Sequence, residues 1–128
     1  MEEILTRPAM DEATRMGDRL GGGYPDILTD RKVEGDVQHK GIGGTLALGP
    51  APVVDWRTFP DLDVGRWWGY CTAMMNRGIV PMATGPDEQW TVSVQHSAAD
   101  VDAHVAAFDE VAQLLRAPRA DVHLVESV

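Results

Sequence analysis

Residues 75–115 read MNRGIVPMATGPDEQWTVSVQHSAADVDAHVAAFDEVAQLL, and the rest of the chain is organised around them. The stretch ends one helix, makes a short strand at Ile79 to Met82, crosses a polar loop, makes a second strand at Trp90 to Gln95 and enters a helix. Ser97 caps that last helix, and Asp100, three residues on, completes a capping-box pattern. Val101, Val105, Phe108, Ala112 and Leu115 follow at steps of four, three, four and three, which lays one apolar stripe along an amphipathic face. Such a face must pack on something. The nearest candidate is a sheet in which Val92 and Val94 are buried while Ser93 and Gln95 face water.

Upstream, residues 8 to 33 read as helical, with Met10, Ala13, Met16, Leu20, Ile27 and Leu28 as the apolar face. Gly21, Gly22, Gly23 and Pro25 interrupt it, because each such glycine costs about 1 kcal/mol in a helix interior and proline about 3 kcal/mol. Glu34-Gly35 marks its end. Asp36 to His39 and Thr45 to Leu48 then form a hairpin around Gly41-Ile42-Gly43-Gly44. Pro50, Pro52 and Pro60, together with Trp56, make Gly49 to Pro60 an irregular connection that sheds part of its surface against the domain. Asp63 caps a helix from about Val64 to Arg77, with Trp67, Tyr70, Cys71 and Met74 on its buried side and Gly78 placed to end it. The tail from Arg119 could add an edge strand through Val122, Leu124 and Val125. The order predicts one α+β domain over 1–128, with a tail at 117–128 and a four-stranded antiparallel or mixed sheet with helices on one face.

Composition excludes several function classes. The 128 residues carry a net charge of −9, which repels a phosphate backbone, so nucleic acid is not an expected partner. No run approaches the roughly 18 apolar residues of a membrane span, and the acidic start MEEILTRPAMDE is unlike a secretory signal. A cytoplasmic location is the expectation. Cys71 is the single cysteine, placed in a helical pattern as a core thiol. His39, His96, His104 and His123 show no metal-ligand spacing, and His96 reads as a residue holding the strand-to-helix turn. Ser93, His96 and Asp100 assemble a hydrolase triad only on paper, since no nucleophile elbow accompanies them. The glycine triplet lacks the further glycine and the Lys-Ser or Lys-Thr pair of a phosphate loop.

The pair Asp87-Glu88 sits in a Gly-Pro-Asp-Glu loop feeding a strand, where a carboxylate can be held over a neighbouring surface. The run from Arg77 to Leu115 resembles the C-terminal end of class III pyridoxal-phosphate aminotransferases, closest to the glutamate-1-semialdehyde aminomutase branch. In that branch a helix ending at RG or EG leads to a short strand, a polar loop, a strand ending in HT or HS, and a further helix. Met10 to Leu28 resembles the helix opening the family's small domain, and Gly35 to Leu48 its hairpin. The resemblance covers about 8 to 116.

What the resemblance implies is limited. Glu88 stands eight residues before His96 and matches the acidic residue that faces the substrate pocket in the aminomutases, although the loop here is about one residue longer and Trp90-Thr91 replaces Gly-Phe. The arginine that other branches place in this loop has no counterpart between Met82 and Gln95. The cofactor lysine, the aspartate pairing with the pyridine nitrogen and the phosphate loop belong to a large domain absent from these residues. Lys32 and Lys40 are the lysines present, and Lys40 is better read as part of the hairpin than as a Schiff-base lysine. The expectation is therefore a small-domain subunit or fragment that binds no cofactor alone, with pyridoxal phosphate held by a large-domain aminotransferase partner chain. The rival expectation is a non-catalytic module using its sheet for self-association or regulation.

Overall fold

The computed structural model describes residues 4–50, 52–81, 85–87 and 89–116. Its elements run α1 (Arg7–Arg31), β1 (Gly35–Lys40), β2 (Gly43–Leu48), α2 (Val64–Met75), β3 (Trp90–Thr91) and α3 (Ala98–Leu115), with a 3-10 turn at Phe59–Asp61. The architecture is α+β. The sheet is antiparallel in the order β1-β2-β3. Helix α1 lies against β1 and β2, α2 against β2, and α3 across both α1 and α2.

Three strands rather than four form among the described residues. Ile79 to Pro81 makes no strand, and Met82 lies outside the described residues. The expected strand at Trp90 to Gln95 is reduced to two residues, plus a bond from Val92 N–H to the Ile42 carbonyl. Local turn bonds use the donors that a longer ladder would need: Ser93 N–H donates to His96 Nδ1 at 2.9 Å, and Gln95 N–H donates to Ser93 Oγ at 3.2 Å. Pro81 has no N–H to offer a ladder at all. Val92 is buried as expected and Val94 only partly so.

The hairpin closes through a two-residue turn. Gly41 has φ +57°, a left-handed conformation that fits the first central position of a tight hairpin turn and disfavours a side chain. At the far end of α2, Gly78 takes φ +80° and reverses the chain, as its position implied. Asp63 accepts the Arg66 N–H at 2.9 Å and caps α2. The Ser97–Asp100 capping box at the start of α3 forms in both directions. In the irregular connection before α2, Trp56 is 79% exposed and stacks on Phe59, with centroids 5.4 Å apart.

Helix α1 passes unbroken through the glycine triplet and Pro25. The reason is contact that only glycine permits. A Cβ on Gly17 would lie 2.1 Å from the Gly41 carbonyl oxygen, one on Gly21 2.3 Å from the His39 ring, and one on Gly23 2.9 Å from Val105. The backbone of α1 therefore seats directly on the hairpin and on α3, and this packing offsets the poor intrinsic propensity. The core gathers Tyr24, Leu46, Leu48, Trp67, Tyr70, Met74, Phe108 and Val111. Cys71 is buried among them, and burial pushes its thiol up from the ordinary value, as befits a core residue rather than a reactive one.

Candidate functional site

The loop feeding β3 is placed by Trp90. This residue is 4% exposed and stacks on Tyr24 of α1 with ring centroids 5.2 Å apart. On its other side Gly44 of β2 admits the indole so closely that a Cβ there would be 2.3 Å from a ring carbon. Just before it, the Gln89 amide oxygen lies over Gly43. Trp90 thus pins one end of the loop to the sheet and to α1 together. Glu88, the residue singled out as facing the pocket, lies outside the described residues, as do Met82, Ala83 and Thr84.

A cavity of about 270 Å³ opens beside this anchor, lined by Leu20, Trp90, Val92, His96, Asp100 and His104 among others. Its polar residues are mostly engaged in holding structure. The His96 Nδ1 takes the Ser93 N–H, which makes His96 the turn-holding residue that its position suggested. Asp100 Oδ2 accepts from both the N–H and the hydroxyl of Ser97, and these bonds hold its carboxyl below the usual range. Ser93, His96 and Asp100 therefore serve two local turns and form no triad.

The structure brings together a further group that the sequence reading passed over. Tyr24 of α1, Tyr70 of α2 and His104 of α3 meet in the interior, with the Tyr24 hydroxyl 2.8 Å from that of Tyr70 and 2.6 Å from His104 Nε2. Burial pushes His104 down from 6.5 to about 4, with the nearby His96 adding to the effect, so it is neutral at pH 7. Burial raises both phenols, so they too stay neutral. The signal was available: His104 stands three residues after Val101 and four before Phe108, on the buried stripe of α3. Removing the central hydroxyl leaves two partners short. Tyr24→Phe is expected to cost about 1–3 kcal/mol in chemical denaturation, with no change in helix content by circular dichroism.

Among the described residues no group of three His, Cys, Asp or Glu could hold a metal ion. No described helix is long and apolar enough to cross a membrane. Neither cavity near the loop fits pyridoxal phosphate. The first contains no lysine, and its Trp90 indole N–H is buried without an acceptor and closed to solvent. A second, shallower one of about 490 Å³ includes Lys40, but Lys40 is an exposed strand-end residue paired in register with Gly43 across the hairpin turn. Among the described residues no apolar wall stands there to sandwich a ring, nor any helix N-terminus to take a phosphate.

No family model matches the chain. Over 112 residues, or 85% of its length, the chain is 30% identical to a glutamate-1-semialdehyde 2,1-aminomutase from Symbiobacterium thermophilum and covers 25% of that enzyme. Among solved structures it matches an omega-transaminase from Sphaerobacter thermophilus at TM-score 0.71 and 25% identity, over 88% of this chain and 26% of that one. A transaminase with PLP bound matches at TM-score 0.72 and 15% identity, over 89% and 25% of the two chains. A transaminase from a marine Virgibacillus matches at 0.64 and 17%, over 85% and 25%. The last two speak for the fold alone. The chain spans about a quarter of the length of the relatives it matches. It thus has the fold of a quarter-length part of the transaminases and, in sequence, resembles the glutamate-1-semialdehyde aminomutase branch of the class III aminotransferases.

Proposed function

We propose that this chain is the substrate-side closing unit of a pyridoxal-phosphate aminotransferase or aminomutase whose large, cofactor-binding domain is carried on a separate chain. The observation that carries the closing-unit part of the reading is coverage: 85% of this chain aligns with only a quarter of an aminomutase; the separate large-domain chain is the proposal's own step, tested below. Pyridoxal phosphate would belong to the large domain and supply the electron sink there. This chain would contribute the surface around the Trp90 anchor, which would exclude water and orient the substrate. A cytoplasmic setting is part of the reading, supported by a single buried thiol and no possible internal disulfide.

Within this reading Glu88 is the side chain that meets substrate. Glu88→Gln is expected to lower transamination by the reconstituted pair about tenfold or more, the loss of one charge-assisted contact, while co-purification of the two chains is unchanged. A substitution silent in both assays removes the pocket role and leaves the interaction-module reading. The partner itself is tested by the neighbouring reading frame: one encoding an aminotransferase large domain without its C-terminal third supports the split arrangement. Failure of this chain to bind any such large domain would sink it.

A further inference from the structure

The side of α2 that faces away from the core differs from the outer surfaces of the other two helices. Its exposed residues are Val64, Gly65, Trp68, Gly69, Thr72 and Met75, and none carries a charge. Along the sequence every residue between Arg66 and Arg77 is uncharged. Both arginines reach toward α3 instead: Arg66 donates to the Leu115 carbonyl and Arg77 to Glu110, each at 2.9 Å. By contrast α1 exposes Asp11, Glu12, Arg15, Asp18, Asp26 and Asp30, and α3 exposes Asp102 and Glu110. A helix that is uncharged on every side belongs in a covered place.

Trp68 stands in the middle of this stripe. It is 49% exposed and meets the buried Trp67 edge to face, with ring centroids 5.1 Å apart. Val64, one helical turn before it, and Met75, two turns after it, are also about half exposed. Past Met75 the chain folds back on the helix end, where Gly78 N–H donates to the Met75 carbonyl at 2.9 Å and Ile79 N–H to the Met74 carbonyl at 3.1 Å. This seats Val80, 77% exposed, beside the end of the stripe, and Val80 lines the 270 Å³ cavity together with Trp90. The apolar surface of α2 therefore leads to the candidate site.

Its size and direction indicate what covers it. Val64, Trp68, Met75 and Val80 expose roughly 400 Å² between them, about half of the ~800 Å² per partner in a standard interface. A second copy pairing on this stripe alone falls short of a stable dimer. A body that covers the candidate site as well does not. Three quarters of the matched aminomutase has no counterpart in this chain, and two units of one polypeptide bury surface against each other.

We infer that the outer face of α2, centred on Trp68 and running on to Val80, is where the large-domain chain docks. This interface rests on the closing-unit reading above and gives it a surface through which the two chains meet. The absence of charge suits the core of an interface, and a central tryptophan is the side chain whose loss costs most there.

The test is calorimetric titration of the 128-residue chain with the large-domain chain of the neighbouring reading frame, beside sedimentation of this chain alone. Trp68→Glu and Met75→Glu are each expected to weaken the complex about tenfold or more, whereas Asp26→Lys on the outer surface of α1 leaves it unchanged. Urea midpoints confirm that the variants fold. The chain alone is expected to sediment as a monomer. Wild-type affinity in both glutamate variants overturns the interface and leaves the closing-unit reading standing. So does a homodimer that Trp68→Glu splits, since the face then belongs to a second copy. If the wild-type chain binds no large-domain chain, the closing-unit reading fails and takes the interface with it, a result distinct from either of the others.

Discussion

Gly17→Ala is expected to destabilise the fold by about 2 kcal/mol, although alanine is the better helix former. Intrinsic propensity alone would favour the substitution by about 1 kcal/mol. Against that gain stands a Cβ placed 2.1 Å from the Gly41 carbonyl oxygen and 2.9 Å from the Gly41 carbonyl carbon and Ile42 Cα. All three are backbone atoms of a tight turn, so no side-chain rotation relieves the contact, and overpacking of this kind costs about 3 kcal/mol. Gly22→Ala provides the opposite result on the same helix. Nothing lies within 4 Å of its Cβ position, so the substitution should stabilise by up to about 1 kcal/mol. Urea denaturation of the two variants checks both signs. A stabilised Gly17→Ala protein would show that α1 does not rest on the hairpin backbone.

Acid should weaken the protein well before its carboxylates titrate. His104 has its folded pKa lowered from 6.5 to about 4 by burial and by His96. Between those values the unfolded chain binds a proton that the folded one refuses. Stability is therefore full above pH 6.5, falls by about 1.4 kcal/mol for each pH unit through the window, and levels off below about pH 4. The total is about 3 kcal/mol. His104→Gln, which keeps a polar contact to Tyr24 without an ionisable ring, should remove this slope. Asp100 and Asp109 also have lowered values, held by Ser97 and Arg31 respectively. What they contribute is lost only as pH falls below the ordinary carboxylate value, so their effect lies at the acid end. Denaturation midpoints at intervals from pH 8 to 4 separate the two, and a flat profile above pH 5 would contradict the buried neutral imidazole.

What could be read from the chain beforehand divides along a physical line. Asp63, Ser97 with Asp100, Gly41 and Gly78 act within a few residues of themselves, and each did in the structure what its local pattern implied. The glycine triplet could not be read that way. Its cost is visible in the helix, but its compensation lies in Gly41, His39 and Val105, which are distant in sequence. The strands around β3 were over-read for a related reason. Alternating valines indicate a buried face, but they do not show that Ser93 spends its N–H on His96. The Tyr24–Tyr70–His104 cluster needed three helices to assemble, although His104 alone could have been suspected from its place on the apolar stripe. Of the candidate site, the loop and the strand holding Trp90 were legible as loop and strand, whereas the seat of Trp90 between Tyr24 and Gly44 exists only once α1 and the hairpin come together.

The glycine contacts of α1 also bear on how this sequence can vary. A helix advances about 100° per residue, and Gly17 and Gly21 meet the turn and β1 one helical turn apart. A substitution at an exposed position such as Gly22 leaves that alignment untouched. A single inserted residue between Gly17 and Gly21 does not, because it rotates every later side chain and brings a bulky neighbour, Leu20, into the place of Gly21 against the hairpin. The first helix can thus drift in composition on its outer surface, but its length and phase are set by the turn beneath it. Among relatives that keep this hairpin, differences in α1 should be exchanges of residues, and changes in chain length should collect before Arg7 or after Lys32.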